Sequence, residues 1–378
     1  MSLRRAWASL VLLAGLAGGG AWAQTPAASA DASATRGWQI CAQQTQDPTA
    51  RLACYDRWVQ EHGPSAETGV SQAAAPGTPR SEVSASPRPP ECRSGPQSAL
   101  SRYWELEDGS DCGRFNIRGY RPLSLSYIHS NTVNRSPDSP AAGHSATSET
   151  PYLINEGRIQ LSVRTKLGQG FLPVDHFGGR DSLWFGYTQQ SYWQLFSGSI
   201  SRPFRTTDHE PEFMYIVPTP AELPGGWRLR YSGLSLNHQS NGQTLPLSRS
   251  WNRAILMAGM EKGERLTLTA RLWNRIADGD EIDDNPDIDK LIGRGEVTGG
   301  WLVNKDNALL LTLRHSMSSP ANGSWRFEWL QTLGEPNRNG SPSGLRLHVQ
   351  LFNGYGDSLV DYNRGRTVLS IGLSLVDL

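Results

Sequence analysis

Leu345-Arg-Leu-His-Val-Gln-Leu351 alternates apolar and polar side chains at every step, with Leu345, Leu347, Val349 and Leu351 on one side and Arg346, His348 and Gln350 on the other. A period of two marks a β-strand whose two faces meet different surroundings. The texture recurs outward from this stretch. Leu369, Ile371, Leu373 and Leu375 alternate near the end of the chain, and Ile159, Leu161 and Val163 alternate with Gln160, Ser162 and Arg164 far earlier. Clusters of Gly, Asn, Asp and Pro separate such segments, as turns do. Together they predict strands near 119–131, 157–167, 181–196, 210–218, 226–239, 250–260, 264–275, 291–303, 308–316, 324–333, 343–354 and 366–376, twelve in all. An even number of antiparallel strands, with 13 Trp and 11 Tyr available for interfacial girdles, fits a transmembrane β-barrel of a bacterial outer membrane. A soluble periplasmic all-β domain would use the same alternation with its apolar face turned inward, and the period does not say which side is inside. The chain ends in Leu378, where outer-membrane barrels usually end in an aromatic residue.

Composition narrows the rest. The 36 basic and 36 acidic residues balance, so nothing electrostatic points to a nucleic-acid partner. Residues 1–23 carry Arg4 and Arg5, an apolar run from Leu10 to Leu16 and the small-x-small site Ala21-Trp-Ala23, the pattern of a secretory signal peptide. No later apolar run approaches the ~18 residues of a membrane-spanning helix. Four cysteines, Cys41, Cys54, Cys92 and Cys112, suggest two disulfides in an exported chain. Of the three connectivities, nearest-neighbour pairing is expected, Cys41 with Cys54 and Cys92 with Cys112, because a Pro-rich spacer lies between the pairs; a metal site is set aside because no CxxC or nearby His accompanies them. The expected organisation is thus a leader (1–23), a short disulfide-containing module with a helix around Leu52-Ala-Cys-Tyr-Asp-Arg-Trp-Val59 (24–62), a Pro/Ala/Ser-rich linker (63–91), a pre-barrel segment (92–117) and the barrel (118–378).

One stretch carries candidate chemistry. In Leu234-Ser-Leu-Asn-His-Gln-Ser240 the strand period places Leu234, Leu236, His238 and Ser240 on one face, so a base and a nucleophile share an apolar stripe. A second strand returning from Ser250 carries Asn252 on the same face as Ala254 and Leu256, within reach of His238. Nucleophile, base and a group that orients the base are the parts of acyl transfer in any chain order. The bland reading is a solvated loop in which His-x-Ser arises by chance.

Denser matches surround these residues: Tyr187-Thr-Gln-Gln-Ser-Tyr-Trp-Gln-Leu195, Arg202-Pro-Phe-Arg205, His238-Gln-Ser-Asn-Gly242, Ser248-Arg-Ser-Trp-Asn-Arg253, Asp283-Asp-Asn-Pro-Asp287 and Gly354-Tyr-Gly-Asp-Ser-Leu-Val-Asp-Tyr-Asn363. On these motifs the segment from about Arg118 to Leu378 resembles the bacterial outer-membrane phospholipase A family. The resemblance implies a twelve-stranded barrel in the outer membrane with a serine hydrolase site on its lipid-facing wall, acting on acyl esters of phospholipids at the A1 and A2 positions and on lysophospholipids. It implies Ser240 as nucleophile, His238 as general base, Asn252 in place of the usual aspartate and Gly242 as oxyanion-hole donor. It also implies calcium and a homodimer: the Ser201 hydroxyl of one subunit would ligate the ion together with the Gln243 and Ser248 carbonyls of the other. The family has arginine at the Gln243 position. Of the two carboxylates at its second calcium site, Asp284 matches one while Leu245 stands at the other. Gln189 matches a polar residue of a membrane-embedded dimer interface, against the plainer reading of a lumen-facing glutamine. For Asp283 to Asp287 an exposed turn competes with an ion role, and for Arg202 to Arg205 simple loop packing. The competing function is a catalytically silent barrel serving as scaffold or pore.

Overall fold

Exposure gives the alternation its sign. In the computed structural model, which describes residues 41, 47–62, 97–107, 110–172, 180–277, 283–334 and 344–375, Leu234 and Leu236 are 57% and 60% exposed while Ser235 and Asn237 between them are 4% and 3%. The pattern holds around the sheet. Leu125, Phe213, Leu256, Leu313, Phe327 and Ile371 face outward, whereas Arg158, Lys166, Glu212, His348 and Ser370 are buried inside. A soluble sandwich would show the reverse, so the apolar belt faces outward as a membrane barrel requires.

Strands β2 (Leu123–Ser130), β3 (Asn155–Gln169), β4 (Ser182–Trp193), β5 (Phe204–Leu223), β6 (Trp227–Ser240), β7 (Ser250–Lys262), β8 (Leu266–Ile276), β9 (Gly295–Asn304), β10 (Asn307–His315), β11 (Gly323–Thr332), β12 (Leu345–Gly354) and β13 (Arg366–Leu375) pair antiparallel with their neighbours, and β13 pairs back onto β2 to close a twelve-stranded barrel. The two-residue β1 (Arg118–Gly119) pairs with β3 just beyond β2. Sequence reading placed one strand over 119–131; the ladder breaks at Tyr120–Pro122 instead. Pro122 has no N–H to give the ladder, and the two residues before it turn inward, Tyr120 donating its hydroxyl to Glu212 at 2.8 Å and Arg121 pairing with Glu210 at 2.8 Å.

The pre-barrel segment packs into the barrel. α2 (Ala99–Trp104) is capped by Ser98 and buries Leu100, Ser101 and Trp104. The Trp104 ring meets Trp184 and Tyr231 edge-on at 5.7 Å each. Leu100 N donates to Glu261 Oε1 at 2.6 Å, Arg118 pairs with Glu105 at 2.6 Å, and Arg230 pairs with Glu107. The segment therefore plugs the lumen with both an aromatic anchor and paired charge. Beyond it lies a cavity of about 340 Å³ lined by charged and polar groups that include Arg158, Glu210, Arg271, Glu296, Arg314 and Glu328. Toward the other end, Asp357 to Tyr362 are buried. Arg205 donates to Glu156 at 2.7 and 3.0 Å and to Asp361 at 2.8 Å, and Arg366 pairs with Asp361 at 3.0 Å and Asp357 at 2.8 Å. The Arg202-Pro-Phe-Arg205 motif is thus more than loop packing, since its last residue anchors a buried ion cluster.

The N-terminal unit is described only in part. α1 (Pro48–His62) starts at a textually plain cap, Asp47 Oδ1 accepting from Thr49 N at 2.9 Å with Pro48 in the first turn. The expected Cys41–Cys54 disulfide joins it to the preceding residues. Cys112 is disulfide-bonded as well. Its expected partner Cys92, the leader and the linker lie outside the described residues.

Candidate active site

Strand register assembles the site on the outer wall. Pairing of β4 with β5, β5 with β6 and β6 with β7 lines up Tyr187, Pro211, His238 and Asn252 in one row, and Gln189, His209, Ser240 and Ser250 in the next. The inward residues behind these rows hold them in place. Asn237, Arg253 and Arg121 converge on Glu210, at 3.0, 3.0 and 2.8 Å, and Trp251 Nε1 donates to Gln239 Oε1 at 2.9 Å. A largely buried network of this kind steadies the backbone of β6 and β7.

His238 and Asn252 meet as the sequence suggested, Nδ1 to Oδ1 at 2.8 Å. The amide oxygen only accepts, so Nδ1 carries the imidazole proton and Nε2 is left with a lone pair. That is the tautomer a general base needs. Ser240 lies on the same face two residues along, half-buried like His238. Among the described residues no hydrogen bond joins Ser240 Oγ to His238; such bonds are often long before substrate engages.

The loop from Asn241 to Arg249 is organised by one amide. Asn241 Oδ1 accepts from Gln243 N at 3.3 Å and Arg249 N at 3.0 Å, while its Nδ2 donates to Leu247 O at 2.7 Å. Gly242 sits at φ +60°, where a side chain would be strained. Its N–H finds no acceptor among the described residues.

The expected metal residues belong to two sites and two subunits, and within one chain Ser248 and Asp284 are brought together. Gln243 and Ser248 share this loop. No described group donates to the Gln243 carbonyl, and the Ser248 carbonyl accepts Arg249 Nη1 at 2.6 Å, which leaves it a second lone pair. Ser201 is exposed, past a short helical turn at φ 62°. Asp284 is committed elsewhere: His144 Nε2 lies 2.9 Å from Oδ1, and the Ser248 and Ser250 hydroxyls donate to Oδ2 at 2.7 and 3.2 Å. Leu245 is exposed. Among the described residues no group of three or more His, Cys, Asp or Glu side chains could hold a metal. Hard, neutral oxygens at Gln243 and Ser248 fit calcium; the Asp284 carboxylate already meets three side chains, and Leu245 supplies no second oxygen ligand.

Two further readings change. Asp283 to Asp287 are more than an exposed turn: Pro286 is exposed at a turn, but Arg275 pairs with Asp283, Asn285 is buried with Oδ1 accepting from Ser250 N at 3.0 Å, and Tyr362 donates to Asp287 at 2.7 Å. Gln189 alternates with the inward Thr188 and Gln190 and faces outward, donating to Ser191 Oγ at 3.3 Å. Sequence reasoning missed His209, which the register sets beside Ser240 and whose Nδ1 is 2.7 Å from Tyr187 Oη. Its outward phase on β5 was the available signal, but the first expected residue of that strand was 210.

Known proteins resemble this chain in sequence and in fold. A Neisseria meningitidis serogroup B relative is 37% identical over 284 residues, covering 74% of this chain and 70% of its own. The phospholipase A1 of Escherichia coli K12 is 32% identical over 232 residues, covering 59% and 71%. The crystal structure of the Salmonella typhi outer membrane phospholipase dimer with bound calcium superposes with a TM-score of 0.59 at 29% identity, covering 70% of this chain and 93% of that one. The Phospholipase A1 family profile matches residues 100–375, and with the closed barrel and the outward His238–Asn252 pair already established, this chain belongs to the phospholipase A1 family and is a phospholipase.

Proposed function

We propose that the protein is a calcium-dependent phospholipase of the bacterial outer membrane that hydrolyses the acyl esters of phospholipids, at the A1 and A2 positions and in lysophospholipids, as a homodimer. The observation that carries the reading is the 2.8 Å His238–Asn252 hydrogen bond on the same outward face as Ser240. Exposed Leu234, Leu236 and Leu256 surround these residues, so a lipid reaches the serine without leaving the bilayer.

Ser240 Oγ attacks the acyl carbonyl as its proton passes to His238 Nε2. The tetrahedral oxyanion meets the Gly242 N–H, the imidazolium returns its proton to the departing alcohol, and an acyl-enzyme remains. Water then repeats the cycle and frees the fatty acid. Asn252 suits a lipid boundary because an amide orients the imidazole with no charge to desolvate. Residues that would hold calcium are Gln243 and Ser248 through their carbonyls and the partner subunit's Ser201 through its hydroxyl; the ion, when bound, supplies positive charge near the oxyanion. A lumen plugged by α2 and crossed by ion pairs argues against a pore.

A hydrolysis assay on phospholipid in detergent micelles, with calcium and with excess chelator, tests the reading. Hydrolysis that chelator abolishes is expected, and equal rates in both would remove calcium from it. Asn252→Ala deletes one orienting hydrogen bond, worth about 1–3 kcal/mol, so kcat should fall roughly tenfold to a hundredfold. A fall as deep as loss of the nucleophile would mean that Asn252 does more than orient. Because each subunit lends Ser201 to its partner, co-assembly of Ser201→Ala chains with Ser240→Ala chains leaves one intact site in the mixed dimer. Activity above either variant alone is expected. Absence of rescue in cross-linked dimers at saturating calcium would place Ser201 within its own chain's site.

A further inference from the structure

We infer that His209 is a further catalytic residue, whose Nε2–H donates to the oxyanion beside the Gly242 amide; the inference rests on Ser240 being the nucleophile. Three observations converge. First, His209 is the cross-strand partner of Ser240, so their side chains stand side by side on the outer wall. Second, the ring edge formed by Cδ2 and Nε2 faces Gly242, both atoms lying 3.6 Å from where a Cβ on that glycine would be. Third, the ring is held from behind by Tyr187, with 2.7 Å from Oη to Nδ1 and the two rings stacked at 6.2 Å.

The tautomer follows from where the Tyr187 proton goes. Its alternative acceptor, Gln189 Oε1, lies at 3.2 Å, beyond the usual range of about 2.5–3.0 Å for an O–H···O bond. Placing the hydroxyl proton on the shorter, 2.7 Å contact to Nδ1 leaves Nε2 carrying the N–H. Nε2 has no hydrogen-bond partner among the described residues. Ser240 is thus flanked by two imidazoles set in opposite senses: Asn252 accepts from His238 and leaves its Nε2 a base, while Tyr187 donates to His209 and makes its Nε2 a donor. A site that must take a proton from the serine and shield a new negative charge uses one of each. Tyr187 is a positioning residue, acting through the ring it holds.

The test uses the full chain in micelles of detergent and a long-chain glycerophospholipid, with a hexadecylsulfonyl fluoride as probe of the nucleophile. His209→Phe, which keeps the ring and loses the donor, should lower kcat about 10²- to 10³-fold, the loss typical of one oxyanion donor, with KM nearly unchanged. His209→Gln offers an amide N–H in its place and should recover much of that loss, which a merely structural role for the ring would not allow. Tyr187→Phe should lower kcat less, and should have no further effect in the His209→Phe chain. A wild-type kcat in folded His209→Phe, a change in KM alone, or equal Tyr187→Phe effects with and without His209 would overturn the role of His209 while Ser240 still took the probe. Failure of Ser240 to take the probe in the parent chain would instead remove the nucleophile, and the inference with it.

Discussion

Ser240→Ala is expected to reduce ester hydrolysis on the order of 10⁶-fold in kcat, the scale of loss when a triad loses its nucleophile. In practice that is the floor of a phospholipid assay. The change removes one oxygen from a half-buried side chain that makes no hydrogen bond to His238, so the barrel should fold as before. Heat-modifiable migration of the folded barrel and an unaltered thermal midpoint check that point. The sulfonyl fluoride should label the parent chain at Ser240 and leave the variant unlabelled. Substantial hydrolysis by folded Ser240→Ala would end the serine mechanism for this chain, and with it the roles given to His238, Asn252 and Gly242.

The second large effect lies away from the chemistry. Arg205→Met should destabilise the barrel by about 3–5 kcal/mol, because it leaves Glu156 with only the Gln194 amide at 2.9 Å and the more distant Arg366 at 3.8 Å, and Asp361 with less compensation, in a cluster that water does not reach. Arg205→Lys should recover only part of this. One ammonium cannot reproduce the forked contact to Glu156 at 2.7 and 3.0 Å while also reaching Asp361. The midpoint of barrel unfolding in urea, followed by loss of heat-modifiable migration, measures both variants. An unchanged midpoint for Arg205→Met would mean the cluster is solvated and its ion pairs nearly neutral in stability. Activity should fall as well, since the Arg205 carbonyl accepts Gln243 Nε2 at 3.2 Å and so ties the cluster to the loop that carries Gly242.

What the sequence disclosed and what it withheld divide along a physical line. Alternation in Leu345–Leu351 and its counterparts located every barrel strand, because a period of two is local. It could not say which face was outside, since the pattern is identical for a barrel in lipid and a sandwich in water; exposed Leu236 beside buried Asn237 decides it. Ends of strands were less legible. β5 runs from Phe204 to Leu223 although only 210–218 was expected, because Arg205, Asp208 and Glu210 are polar residues that satisfy themselves inside the barrel. The plug at α2 left no local trace, since its partners Glu261 and Arg230 lie far along the chain. For the candidate site, the shared outward face of His238, Ser240 and Asn252 was legible from phase within one hairpin. His209 and Tyr187 belong to the neighbouring strands, and only the register between strands brings them to Ser240.

That same dependence on register makes catalysis a test of assembly. Sliding β6 by a single residue against β5 and β7 would send His238 and Ser240 into the lumen and turn Asn237 and Gln239 toward lipid. The wall between Ser240 and the ion-paired interior is one backbone thick, so no intermediate register leaves the proposed site half-intact. A barrel zipped up one step out of phase would be inert toward lipid even if it resisted heat, and the specific activity of a preparation refolded from urea would count the fraction of barrels that closed in phase.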